Sequence, residues 1–189
     1  MKFDNMPNRC VHIDGQEIWI SRSVTVLPVL FFIVGSKGYV PLGKRGDGMP
    51  DERGKWALPG GYLDYNETTG EAAIRETWEE LGLNLLQLQD DYRCLGSLDQ
   101  PYHVFSQPIR KQNVTLRFPL MFFLESKAEL PKLQPQVSKD EVLQAQWFSL
   151  EKALTMALAF NHEVVMQHCL DTYYKGYYDG QSILIPGSE

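Results

Sequence analysis

Between Gly61 and Leu83 the chain reads GYLDYNETTGEAAIRETWEELGL, with three carboxylates and an arginine set into two turns of one helix. From Thr69 onward the periodicity is helical. Ile74, Trp78 and Leu81 recur at i, i+4 and i+7 with Thr77 beside them, an apolar stripe suited to a core. Glu76 and Glu80 stand four apart and Glu79 adjoins Glu80, so a second face can gather three carboxylates toward one point outside the helix. Gly82 supplies the stop. The plainer alternative is a solvated acidic face. Against it, like charges at i, i+4 cost about 0.2–0.5 kcal/mol, and an ordinary surface helix would alternate Glu with Lys. A hard divalent cation removes the repulsion, and an oxygen-only donor set with no clustered Cys or His selects Mg²⁺ or Mn²⁺ over zinc. Arg75, one turn from Glu79, can orient a carboxylate.

The rest of the chain supports this helix. Cys10 to Ile13 and Glu17 to Ile20 flank Asp14-Gly15, a hairpin signal, and make residues 1–22 a small N-terminal extension. Val24 to Val34 is a buried strand by its β-branched and aromatic content, with Tyr39 to Arg45 as its partner. Gly46 to Gly54 is a loop, and Lys55 to Leu58 a short strand before Pro59-Gly60-Gly61. Beyond the helix, Asn84 to Leu98 reads as irregular strand. Asp99 to Asn113 reads as a long loop carrying Tyr102, His103, Phe105, Arg110 and Lys111. Val114 to Ser126 is a strand in which Pro119 signals a bulge or an edge position. After a loop from Ala128 to Lys139, Val142 to Phe148 is a strand, and Glu151 to Ala159 and His162 to Tyr174 are helices, the second capped by Asn161. The expectation is an α/β fold, a mixed sheet between helices over residues 23–178, with a tail at 179–189.

The run Gly61, five residues, Glu67, seven residues, Arg75-Glu76-Thr77-x-Glu79-Glu80-x-Gly82-Leu83 resembles the Nudix box of the Nudix hydrolase family. It departs only at Thr77, where the family usually has an aliphatic residue. Trp56-Ala57-Leu58-Pro59-Gly60-Gly61 is similar to the strand and loop that lead into that box, and Trp147-Phe148 to a strand end that follows it. The resemblance implies an α/β/α sandwich with a mixed central sheet. It also implies that Glu76, Glu79 and Glu80 hold the metal, that the Gly60 carbonyl is a further ligand, and that Glu67 is an outer ligand or orienting group. Glu67 reads equally well as an acid favourable to the helix dipole. Glu141, six residues before Trp147, matches the family position of a general base, with Asp140 as the neighbouring alternative; either could be a plain exposed acid. Arg45 resembles a family arginine that contacts substrate phosphate, a role suited to its planar donor fork.

The implied chemistry is metal-dependent hydrolysis of a diphosphate linkage, in which Arg75, Glu76, Glu79, Glu80 and Glu141 take part. Ala159-Phe160-Asn161-His162 is similar to an Ala-Phe-Asp-His stretch of the ADP-ribose and NAD-related branch, with Asn161 as the departure. An ADP-ribose-like compound is therefore the expected substrate, and a (d)NTP releasing pyrophosphate the alternative. Tyr102, Phe105 and Trp56 are candidates to stack a nucleobase, although core packing is the commoner use of aromatics. A non-enzymatic ligand sensor would be expected to carry a degraded box, and this box is intact.

Composition narrows the partners. A net charge of −6 over 189 residues opposes non-specific nucleic-acid binding, which needs a basic face. Cys10, Cys94 and Cys169 are odd in number and widely spaced, which suggests neither a disulfide framework nor a zinc knuckle, and a reducing, cytoplasmic compartment is expected. Met1 to Arg9 lacks an apolar leader, and Val24 to Val34, with Pro28 inside it, is too short to span a bilayer. A small nucleotide is the expected partner, and the family habit of dimerising makes a homodimer through the hairpin a further expectation.

Overall fold

Arg9–Ile13 (β1) and Gln16–Ile20 (β2) pair antiparallel across Asp14-Gly15, whose φ values of 50° and 77° give the two-residue turn that suits the twist of its strands. The computed structural model describes residues 9–20, 23–106 and 113–178. The start of the expected extension, Arg110 and Lys111, and the expected tail at 179–189 lie outside the described residues.

Ser23–Val34 (β3), Lys37–Arg45 (β4), Trp56–Ala57 (β5) and Gly61–Tyr62 (β6) precede the helix Thr69–Leu81 (α1). Leu85–Asp91 (α2), Arg93–Leu95 (β7), His103–Ser106 (β8) and Asn113–Leu124 (β9) follow it. Val142–Ser149 (β10), Leu150–Leu154 (α3) and His162–Tyr173 (α4) complete the order. An eight-stranded sheet runs β10-β4-β3-β9-β7, with β5 on β4, β6 on β3 and β8 on β9. β3 and β9 are parallel over their full length and the other pairs antiparallel, so the sheet is mixed.

Alternation along β3 divides the core. Val29, Phe31 and Ile33 face a cluster with Leu150, Met166, Cys169 and Leu170 from α3 and α4. Leu30 and Phe32 face another with Ala72, Ala73 and Leu81 of α1 and Leu85 and Leu88 of α2. The expected α/β/α sandwich is thus what forms, with helices on both faces. Among the described residues no helix is long and apolar enough to cross a membrane.

Several expected elements differ. Asn84 to Leu98 is a helix and a short strand, because the Asn84 side chain caps α2 by accepting the Gln87 N–H and Leu85 and Leu88 bury on one side. The expected loop from Asp99 contains β8, which adds to β9. Pro119 marks neither a bulge nor an edge: β9 is interior and its register with β3 is unbroken. On its other side the neighbour changes from β8 to β7 around Pro119, so the missing N–H costs no ladder bond there. The first C-terminal helix ends at Leu154. Asn161 sits at the N-cap position of α4 but at φ 56°, and makes no side-chain cap bond.

Candidate active site

The start of α1 is fixed by a reciprocal pair. Thr68 accepts the Glu71 N–H, and the Glu71 carboxylate accepts the Thr68 N–H. Its end is fixed by Gly82, at φ 71°, whose N–H donates to the Trp78 carbonyl. The carbonyls of Leu81 and Glu79, otherwise without helical partners, accept from Gln134 N (2.9 Å) and Gln136 N (2.7 Å).

The rotation of α1 about its axis differs from the expected one. Ala72, Ala73, Thr77 and Leu81 face the sheet, while Trp78 is 46% exposed. Two alanines let the helix approach the strands closely, and the Thr77 hydroxyl is satisfied in the core by donating to the Ala73 carbonyl at 2.7 Å. The turn of the helix that buries Thr77 also buries Glu76 and Glu80, at 7% and 8% exposure. The plainer alternative of a solvated acidic face is therefore not what forms at Glu76 and Glu80.

Glu76 and Glu80 lie against the loop before α1. Glu80 accepts the Gly60 N–H at 3.2 Å. A Cβ on Gly61 would stand 2.3 Å from Glu76 Oε1, so Gly61 is what admits the Glu76 carboxylate, while one on Gly60 would stand 2.4 Å from the Val26 carbonyl oxygen, so Gly60 lets the loop lie close on β3. The loop is held from the other side by buried His162, whose Nδ1 accepts the Leu58 N–H.

Arg75 ties the remaining acids together. Its Nε and Nη2 fork onto Glu67 at 3.0 and 2.7 Å, Nη1 donates to Glu76 (2.8 Å) and Glu79 (3.0 Å), and Nη2 also reaches the Tyr62 carbonyl. Glu76 and Glu79 share Arg75, whereas Glu80 turns to Gly60.

The electrostatics follow. Burial, then the neighbouring Glu76 charge, pushes the Glu80 carboxyl up to about 8. Glu76 is also raised by burial, against the pull of Arg75. Hydrogen bonds from Arg75 hold Glu67 below the usual carboxylate range.

Glu141 belongs to this neighbourhood, since its charge raises both Glu76 and Glu80. Its loop is pinned to the end of β4 by Gly46 N–H to the Glu141 carbonyl (2.7 Å) and Gly48 N–H to the Asp140 carbonyl (2.8 Å). Arg45, at the same strand end, opposes the rise of Glu80 and places its guanidinium 4.9 Å from the Phe160 ring centre. Phe160 was not expected at the site as an open ring. It is 50% exposed, at φ 54° in a turn that turns it outward, and stands 5.7 Å from the His162 ring. The Ala159–His162 stretch was the sequence signal that could have found it.

Tyr102 and Phe105 lie elsewhere. The Tyr102 ring is 5.3 Å from Tyr173 of α4 and its carbonyl accepts the Tyr173 hydroxyl, while Phe105 carries Arg117 over its face. Among the described residues no hydrogen bond or ring contact joins either to the carboxylates. Trp56 packs edge-on against Phe148, 4.8 Å between ring centres.

A family model described as the NUDIX domain matches residues 25–169. The human m7GpppN-mRNA hydrolase NUDT17 is 28% identical over 149 residues, 78% of this chain and 44% of that protein. An RNA pyrophosphohydrolase of Brucella anthropi is 32% identical over 82 residues, 41% of this chain and 47% of that protein. The chain thus spans less than half the length of these relatives. Among solved structures, the NUDIX domain of Shewanella oneidensis NrtR, complexed with ADP ribose, aligns with a TM-score of 0.57 at 21% identity, covering 80% of this chain and 88% of that one. A Caenorhabditis elegans Ap4A hydrolase aligns with a TM-score of 0.57 at 18% identity, covering 82% and 99%. These likenesses show the fold.

Proposed function

The chain belongs to the NUDIX family, and from that membership we propose that it hydrolyses the diphosphate linkage of a nucleoside diphosphate-linked compound, ADP-ribose-like molecules first, with Mg²⁺ or Mn²⁺. The products are a nucleoside monophosphate and a phosphorylated remainder. The observation that carries this reading is the buried pair Glu76 and Glu80 against Gly60-Gly61, with Glu80 held up at about 8.

The donor set fits a hard divalent cation. It is all oxygen, and the donors of Arg75 go to Glu67, Glu76, Glu79 and the Tyr62 carbonyl, which leaves Glu80 a single backbone N–H among the described residues. Glu76, Glu79 and Glu80 would hold the ion, with the Gly60 carbonyl as a further ligand and Glu67 acting through Arg75. When bound, such an ion offsets phosphate charge and lowers the pKa of its water.

The other roles fall to this chain's own groups. Arg75 keeps Glu79 and Glu76 aimed from their shared donor. Glu141 accepts the proton of the attacking water, a role its place beside Glu76 and Glu80 supports. Arg45 presents a guanidinium fork to a phosphate oxygen as charge builds. Phe160, exposed and backed by Arg45, offers the face on which a nucleobase stacks, in place of Tyr102 and Phe105. The catalytic unit spans residues 23–178, with residues 1–22 as an extension, and a reducing, cytoplasmic setting agrees with free thiols at Cys94 and Cys169.

The test is a substrate panel with Mg²⁺ or Mn²⁺: ADP-ribose, NADH, nucleotide sugars, dinucleoside polyphosphates and (d)NTPs. A cap dinucleotide and an RNA oligonucleotide join it because the relatives' names specify capped mRNA and RNA. Products are separated by chromatography. Preference for ADP-ribose, yielding AMP, is expected. Pyrophosphate released from a (d)NTP would replace this reading with the alternative. Turnover of none of them with metal bound would favour ligand sensing.

A further inference from the structure

The hairpin β1–β2 carries a group of side chains that the diphosphate chemistry does not use. Cys10 and His12 are two apart on β1, and therefore on one face, and the register sets Glu17 directly across from His12. One ligand atom from each, the Cys10 sulfur, a His12 ring nitrogen and a Glu17 carboxylate oxygen, lies within 4.8 Å of the other two. Among the described residues this is the one set of three such side chains so gathered. Val11, Ile13 and Ile18 point to the opposite face, where Ile13 and Ile18 are 53% and 41% exposed.

The hairpin also lacks the support that usually makes two strands stable. It forms a sheet of its own, and neither strand pairs with the eight-stranded sheet or packs extensively on another element. An isolated two-stranded hairpin is marginal in water. A cross-link between its strands would supply what burial does not.

We propose that Cys10, His12 and Glu17 form a second metal site, distinct from the carboxylates of α1, that takes Zn²⁺. The donor set decides the ion. A thiolate and an imidazole favour a borderline-soft cation, whereas Mg²⁺ requires oxygen donors, so each metal has its own place. Bonds of about 2.0–2.3 Å from each ligand to one ion need only small rotamer changes from the observed spacing. Binding releases the Cys10 thiol proton to solvent as the sulfur–zinc bond forms. Three protein ligands leave the fourth position to water. In sequence the site is hidden, because Cys-x-His on one strand and a glutamate across a turn match no zinc-knuckle spacing.

Full-length protein, kept reduced without thiols, is equilibrated with Zn²⁺ in large excess of Mg²⁺, desalted into Mg²⁺ buffer, and its metal content measured. Retention of a single zinc ion is expected, lost in Cys10→Ser and in His12→Ala and unchanged in Glu80→Gln. Co²⁺ in place of Zn²⁺ should give a thiolate-to-metal charge-transfer band that Cys10→Ser abolishes. Hydrogen exchange should slow in the hairpin amides when zinc binds. No zinc retained, or zinc retained by Cys10→Ser and lost from Glu80→Gln, would overturn the proposal. All three side chains are solvent-accessible, and matching circular dichroism of the variants excludes misfolding as the cause. The outcome is independent of which diphosphate the enzyme cleaves.

Discussion

Burial opposes the ionisation of Glu80 more than any other interaction in the site. In metal-free protein its carboxyl stays protonated up to about 8, against 4.5 for an unperturbed glutamate, so between those values the folded state holds a proton that the unfolded state has lost. The associated stability is complete below 4.5 and is lost as pH rises to about 8. Buried His162 offsets this below 6.5, so thermal melts of metal-free protein should fall between pH 6.5 and about 8, and Glu80→Gln should flatten the fall. The same substitution should cost roughly 10²-fold or more in kcat/KM, because it removes a charged donor to the proposed ion. His162 works in the opposite sense. Burial first, and then Arg45 and Arg117, depress it from 6.5 to about 3, and its Nδ1 must stay free to accept from Leu58. That contribution is present above 6.5 and lost as pH falls toward 3, so His162→Gln should blunt acid unfolding measured by circular dichroism. Arg75 acts by geometry: lysine keeps the charge and loses the fork on Glu67. Arg75→Lys should weaken Mn²⁺ binding or activity about 10–100-fold, read by titration and by rate.

At the level of elements, α1 is the best determined piece and shows what periodicity can and cannot carry. Its acids, its arginine and its glycine stop were legible because each is a spacing. Its facing was not. Ile74, Trp78 and Leu81 outweigh two alanines on any hydrophobic count, yet small residues are what a helix needs to lie close on a sheet, and Trp78 turns outward. The burial of Glu76 was hidden as well, since it depends on the absence of a side chain at Gly61. α2 escaped notice because its two buried leucines span less than one turn and the capping role of Asn84 is visible only against the following N–H. Pro119 misled because its tolerance depends on which neighbour stands beside it. Gly82 gives the sharpest test. Alanine there would have to hold φ 71° with its Cβ 2.2 Å from the Gln134 carbonyl oxygen. A loss of about 1–3 kcal/mol in urea denaturation is expected, with the loop at 134–136 released from the helix end.

For the whole molecule, two layers of helices over a mixed sheet were foreseeable from element order, whereas the pairing of strands was not. No local signal announces that β3 takes β9 as its parallel neighbour, or that the end of β4 meets the 138–141 loop near Glu80 and, through Arg45, the turn before α4. Such juxtapositions come from chain topology, and the proposed roles of Glu141 and Phe160 depend on them. The β3–β9 ladder also imposes an order in time. Thr25 and Thr115 bond hydroxyl to hydroxyl at 2.9 Å across a sequence separation of 90, and every residue of α1 is made before the first residue of β9. Until that long loop closes, the core beneath α1 lacks Phe118, Leu120 and Phe122, and Glu76 and Glu80 are expected not to be held in their final places for an ion before the rate-limiting step. Stopped-flow refolding should accordingly run at the same rate with and without Mg²⁺, while unfolding slows when the ion is present. On the proposed reading the divalent cation is a latch on the finished sheet, prolonging the lifetime of the native protein without hastening its birth.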